Sequence, residues 1–176
     1  TFAFGIPMIE HIDAESEEVQ GLILAPTREL AIQIGDELRG LLTYFHNIRV
    51  AVLYGGAGIG GQIKALEKKP QIVVATPGRL MDHYNRKTIR LDKIQTVVLD
   101  EADRMLDMGF IRDVRKIIGW LPKKRQTLLF SATMPQEIAE LSQTLLREPV
   151  RVEVTPQSST VDAIRQKLYR VEQADK

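Results

Sequence analysis

Residues 96–103 read Thr-Val-Val-Leu-Asp-Glu-Ala-Asp. The first four favour an extended chain, because β-branched side chains pack well on a pleated surface. The next four place three carboxylates in one short turn. An apolar strand ending in Asp-Glu is the arrangement by which a nucleotide hydrolase sets an acid beside Mg²⁺. In that chemistry Asp100 holds the ion through water, and Glu101 orients and deprotonates the attacking water. The same pair also suits an ordinary helix start, where the dipole favours acids. The stretch by itself leaves both readings open.

Five further apolar runs of this kind lie around it: Gly21–Ala25, Arg49–Tyr54, Gln71–Ala75, Gln126–Phe130 and Val150–Val154. Most are nearly continuous rather than alternating, as in strands buried on both faces of a parallel sheet. Between them lie helical patterns. Leu30, Ile34, Leu38, Leu41, Leu42 and Phe45 follow 3–4 spacing, as do Leu106, Phe110, Val114, Ile117, Ile118 and Leu121, and then Ile138, Leu141 and Leu145. Each set predicts one amphipathic helix. Residues 2–12 predict an opening helix that Gly5 and Pro7 weaken. Strands alternating with helices predict an open α/β sheet, mostly parallel, with helices on both faces.

In such sheets ligands bind beyond the carboxyl ends of the strands. The residues that follow the runs are Pro26-Thr27-Arg28-Glu29-Leu30, Gly55-Gly56, Thr76-Pro77-Gly78-Arg79, Asp100–Asp103 and Ser131-Ala132-Thr133. Thr27-Arg28 and Thr76–Arg79 each sit at a strand-to-helix turn, where free N–H groups and an arginine fork suit phosphate. Thr27 and Thr76 equally suit plain N-caps. Gly56–Gly61 matches G-x-G-x-x-G after a strand and suggests a dinucleotide fingerprint. The next strand ends in Ala75-Thr76, with no acid for ribose hydroxyls. Gln62 and Ile63 stand where a P-loop needs Lys and Ser/Thr. A loop with a structural or backbone-contact role fits the stretch better.

Composition bounds the rest. The chain has 176 residues, of which 44% are apolar, enough for one domain with a sizeable core. It has no Cys, which excludes disulfides, thiol catalysis and thiolate metal sites. His11, His46 and His83 are too scattered to suggest zinc. No apolar run is long enough to span a membrane. Lys+Arg number 24 against 23 Asp+Glu, which excludes a strongly basic tail and an acidic disordered chain. The charges are nevertheless uneven. Residues 1–25 carry five acids and no Lys or Arg, residues 64–90 seven bases against two acids, and residues 111–125 six bases against one acid. Only ten residues are aromatic and few lie near the strand ends, so base stacking is disfavoured as the main binding mode.

Taken together, PTRELA (26–31), GG (55–56), TPGR (76–79), DEAD (100–103) and SAT (131–133) resemble, in order, the motifs of the DEAD-box RNA helicases. The context LDEADRMLDMGF at 99–110 resembles a bacterial member. The resemblance implies a RecA-like, three-layer α/β/α domain and a cytoplasmic, ATP-dependent helicase that uses ATP and Mg²⁺. By the same resemblance, Thr27, Arg28, Gly56, Thr76 and Arg79 face the RNA sugar-phosphate backbone. Asp100 and Glu101 are catalytic, with Asp100 at the Mg²⁺. Asp103, Ser131 and Thr133 couple hydrolysis to strand separation.

The match also implies where the chain departs from the family. Thr1-Phe-Ala-Phe resembles the stretch that begins with the hydroxyl residue of the phosphate-binding loop. Thr1 is then a nucleotide-binding residue and Mg²⁺ ligand, and the preceding Lys and glycines are not in the sequence. Residues 155–160 read as a linker. Residues 161–176, with Ile164–Val171, resemble the first strand of a second RecA-like domain. The expected organisation is residues 1–154 as the first domain, truncated before the phosphate-binding Lys, then linker, then the start of the second. The parent would unwind RNA with ATP; this chain alone would be inactive, or a non-catalytic RNA-binding module. A dinucleotide-binding oxidoreductase is the remaining alternative.

Overall fold

The computed structural model describes residues 1–154; the expected linker at 155–160 and the stretch 161–176 lie outside the described residues. The chain opens with α1 (Phe2–Glu10), followed by β1 (Gly21–Leu24) and α2 (Arg28–Leu41), which runs into a 3₁₀ turn at Leu42–Tyr44. Then come β2 (Val50–Leu53), α3 (Ile59–Glu67), β3 (Ile72–Ala75) and α4 (Pro77–Asn85). β4 (Thr96–Leu99), α5 (Ala102–Asp107), α6 (Ile111–Trp120), β5 (Gln126–Leu129) and α7 (Gln136–Leu145) complete the described elements.

The five strands form one sheet in the order β2-β3-β1-β4-β5, and every pairing is parallel. The pairing places Leu53, Ala75, Leu24, Leu99 and Leu129 in a single row across the sheet. All five strands therefore end level, at one edge.

Alternate residues serve two cores, as the two-residue period of a strand requires. Leu22, Leu24, Val73, Val97 and Leu99 pack with Leu66 of α3, Leu80 of α4, Met105 of α5 and Val114 and Ile117 of α6. Ile23, Ile72, Val74 and Val98 pack with Phe4 and Met8 of α1 and Ile34 and Leu38 of α2. The sheet is thus the middle of three layers. The move from β1 to β2 crosses one face and the return moves cross the other, so the crossovers keep one hand. β1 and β3 are buried throughout, which explains their unbroken apolar sequence.

Three expectations need correction. Val150–Val154 is not a strand; Val150, Val152 and Val154 are at least 84% exposed. Apolar alternation alone did not supply it with a partner. The stripe from Leu106 to Leu121 is two helices rather than one. Gly109, at φ +78°, ends α5: its N–H donates to the Leu106 carbonyl at 2.8 Å and the Phe110 N–H to the Met105 carbonyl at 2.8 Å. That pair of bonds is the glycine-terminated helix stop, which the apolar spacing concealed. The stretch 56–61 is only partly loop, since Ile59 already begins α3.

The opening helix forms despite Gly5 and Pro7, because packing outweighs propensity. A Cβ on Gly5 would lie 2.8 Å from Leu38 Cδ2, so glycine permits the close approach of α1 to α2. The same logic separates two glycines of α2. A Cβ on Gly35 would overlap Val52 Cγ2, whereas one on Gly40 meets nothing within 4 Å. Gly40→Ala should therefore gain about 0.5–1 kcal/mol from helix propensity. Gly35→Ala should lose about 1 kcal/mol or more, because overpacking outweighs that gain. Urea denaturation of both variants checks the opposite signs.

Candidate functional site

The level strand ends put the candidate residues on one edge, and they fall into two groups. The acidic group follows β4 and β5. The Asp100 N–H donates to the Leu24 carbonyl at 3.0 Å, which continues the sheet by one residue. The Asp100 carboxylate accepts the Glu101 N–H at 3.1 Å. Burial raises the Asp100 pKa, an effect that this N–H only partly offsets. Glu101 then turns the chain at φ +51°, ψ +54°, a left-handed conformation that costs a non-glycine residue on the order of 1–3 kcal/mol. Its side chain stays 42% exposed, with Arg104 Nη1 at 3.9 Å. The strained turn converts a buried strand into a helix within one residue. It leaves one acid half-buried and the next open to solvent.

Asp103 is tied to the loop after β5. Thr133 donates to Asp103 Oδ2 twice, from its amide at 2.9 Å and its hydroxyl at 2.8 Å. The Ser131 hydroxyl accepts the Asp103 N–H at 3.1 Å, and the Ala102 N–H donates to the Phe130 carbonyl at 2.9 Å. Partial burial works against ionisation of Asp103. The Thr133 hydroxyl and amide, the Ser131 hydroxyl and the Arg104 N–H outweigh it and hold the carboxyl below its ordinary range. The two loops are therefore tied together by four hydrogen bonds.

Thr1 stands at the N-cap position of α1 without a side-chain cap bond, and together with Gln33 it holds the Glu37 carboxyl of α2 below its ordinary range. Glu37 escaped the sequence reading, because nothing in the spacing of a helix mid-face links it to a strand end. Among the described residues no three His, Asp or Glu gather closely enough to cage a metal. One half-buried carboxylate does fit Mg²⁺, which keeps most of its waters and shares substrate phosphates.

The cationic group surrounds the turn after β2. The Arg28 guanidinium lies 5.0 Å from the centre of the Tyr54 ring. Gly56 takes φ +80°, and a Cβ there would stand 3.6 Å from Arg28 Nη1. Arg79 Nη1 donates to the Ala57 carbonyl at 3.1 Å. Arg28, Gly56 and Arg79 thus gather at one turn although 50 residues of chain lie between the first and the last. Thr27 caps α2, accepting the Leu30 N–H at 3.2 Å, whereas the Thr76 side chain makes no cap bond to α4. The Gly56–Gly61 stretch follows β2, the outermost strand, and not a central one. The geometry so disfavours a dinucleotide site there.

The two aspartates respond oppositely to pH. Asp103 has a lowered pKa, so its contribution to stability is present above the unfolded pKa and lost as pH falls through the folded one. Asp100 has a raised pKa, so ionisation opposes folding. That penalty is absent below the unfolded pKa and complete once pH exceeds the folded one. At pH 7 Asp100→Asn should raise the melting midpoint by about a few degrees, and Asp103→Asn should lower it. Both differences should shrink below about pH 4. Melting curves from pH 3 to 7 read both signs.

Comparison with known proteins agrees with this geometry. The family profile described as DEAD/DEAH box helicase matches residues 1–141. The chain is 49% identical over all 176 residues to the ATP-dependent RNA helicase CshA of Listeria monocytogenes, covering 34% of that protein. It is also 49% identical over 176 residues to the DEAD-box ATP-dependent RNA helicase CshA of Bacillus subtilis, covering 35% of it. The chain thus spans about a third of the length of these curated relatives. Among solved structures, a DEAD box protein from Methanococcus jannaschii superposes with a TM-score of 0.76 at 46% identity, over 83% of this chain and 39% of that one. A hypothetical ATP-dependent RNA helicase from Sulfolobus tokodaii gives 0.76 at 36% identity, over 84% and 42%. The three-layer sheet is the RecA-like domain of these proteins, and the chain belongs to the DEAD/DEAH box helicase family.

Proposed function

We propose that residues 1–154 are the first of two RecA-like domains of a cytoplasmic, ATP-dependent RNA helicase. The observation that carries this reading is the division of one sheet edge into an acidic half and a cationic half. Phosphoryl transfer needs a cation-binding acid and a residue that positions water. RNA backbone needs arginines and close backbone approach. Both sets stand side by side at the strand ends.

In this reading Asp100 and Thr1 hold Mg²⁺, which when bound neutralises charge developing on the transferring phosphate. Burial of Asp100 supports the role, because a carboxylate short of solvation gains most from a cation. Glu101, partly exposed at the strained turn, accepts a proton from the attacking water. Arg28, Arg79, Thr27, Thr76 and Gly56 take the RNA sugar-phosphate backbone. Thr76 has a hydroxyl free of capping duty, and Gly56 exposes backbone with no side chain in the way. Asp103, Ser131 and Thr133 carry a shift at the acidic loop into the loop after β5. No helix among the described residues is long and apolar enough to cross a membrane.

Glu101→Gln in the whole protein should retain ATP binding and lower steady-state ATP hydrolysis by about 10²-fold or more. Near-normal turnover would remove Glu101 from the role. Replacing Ser131 and Thr133 together by Ala should leave most ATP hydrolysis in place and reduce duplex unwinding. A parallel fall in both activities, followed on one preparation, would make the pair structural or catalytic instead.

A further inference from the structure

Behind the cationic half lies a buried polar chain that none of the roles above uses. His83 of α4 is fully buried and Gln62 of α3 is 7% exposed. Gln62 Nε2 donates to the Tyr54 carbonyl at 2.9 Å. His83 Nε2 lies 3.1 Å from Gln62 Oε1, and His83 Nδ1 lies 2.8 Å from the Thr88 hydroxyl.

The chemistry of these groups fixes their orientation. A backbone carbonyl only accepts, so the Gln62 atom facing Tyr54 is its amide nitrogen. The other atom is then the oxygen, and His83 must carry its proton on Nε2. In the neutral ring Nδ1 is then an acceptor, facing a Thr88 hydroxyl that also lies within donating distance of the His83 carbonyl, at 3.0 Å. Burial, and next the charge of Arg79, lower the His83 pKa and so favour the neutral ring.

The chain ends on the carbonyl of Tyr54, whose ring lies under Arg28. Two residues further on, Gly56 takes its positive φ, and Arg79 holds the Ala57 carbonyl. Arg79 and His83 are four residues apart on α4 and share one helix face. α4 therefore grips the turn at both ends, directly through Arg79 and indirectly through His83 and Gln62.

We propose that Gln62 and His83 are positioning residues, which hold the Tyr54–Ala57 turn in the shape that presents Arg28 and Gly56 to RNA phosphate. The proposal rests on the RNA-facing reading of that turn. Without the Gln62 donor the Tyr54 carbonyl loses its anchor, and the ring beneath Arg28 is free to shift. Without His83 the Gln62 oxygen is buried with no donor, and its amide has no reason to keep one orientation.

The test is the binding of a short single-stranded oligouridine to the whole protein without nucleotide, by fluorescence anisotropy from about 50 to 200 mM salt. Gln62→Glu keeps the side chain's size and its acceptor toward His83 but removes the donor to Tyr54. It should weaken binding about five- to tenfold and flatten the log–log salt slope by up to about one unit, as Arg28→Ala does. In an Arg28→Ala background the same change should cost less than about twofold, because Gln62 acts through Arg28. His83→Phe should behave as Gln62→Glu does; if it fails to fold, Gln62→Glu carries the test. Ile117→Val, a core change in α6, should lower the melting midpoint without moving the slope. An unchanged slope for Gln62→Glu beside a flattened one for Arg28→Ala overturns the positioning role alone. So does a Gln62→Glu loss of equal size in both backgrounds. An unchanged slope for Arg28→Ala overturns the RNA-facing reading, and the positioning role with it.

Discussion

The level register of five parallel strands is the constraint on which the rest depends. Leu53, Ala75, Leu24, Leu99 and Leu129 share one row, so the residues that follow them share one edge. A slip of one residue in any strand would turn its core-facing side chains to the opposite layer. The two cores, each filled by alternate residues of the same strands, resist such a slip. The register that buries Leu22, Leu24, Val97 and Leu99 therefore also delivers Asp100 to the edge.

The edge then works by local departures from regular structure. Glu101 adopts a left-handed conformation, so that an acid placed by a buried strand is followed by a partly exposed one. Gly56 adopts another, which leaves room beside Arg28. Asp103 accepts two bonds from Thr133 on one oxygen, which joins the loops after β4 and β5. The Glu101 turn is held by the bond from the Ala102 N–H to the Phe130 carbonyl, and the Gly56 turn by Arg79 on the Ala57 carbonyl and Gln62 on the Tyr54 carbonyl. That is how a strained turn persists in a stable sheet.

Much of this was legible in the sequence. Unbroken apolar runs announced the buried strands β1, β3 and β4, and the residues after each run were the ones brought to the edge. The Asp103–Thr133 bond follows from two adjacent strands ending level. Other features were hidden for definite reasons. Val150–Val154 has strand composition but stays exposed, because pairing is decided by neighbours and not by the run itself. The stop at Gly109 lay inside an apolar spacing that continued across it. Glu37 and the Gln62–His83 pair depend on contacts between helices whose rotation a single sequence does not fix. His83 read as an isolated histidine, and only the closeness of α3 and α4 gives it partners.

The central claim is that one edge holds two separable sites, an acidic one for nucleotide and a cationic one for RNA backbone. Amide hydrogen exchange of the whole protein tests it most directly, with ATP and Mg²⁺ in one sample and single-stranded oligouridine in another. The account predicts that nucleotide slows exchange around Asp100–Asp103 and Ser131–Thr133. It predicts that RNA alone slows exchange around Arg28–Ala31, Gly55–Ala57 and Thr76–Arg79. Protection by RNA centred on Asp100–Asp103, with none around Gly55–Ala57, would contradict it.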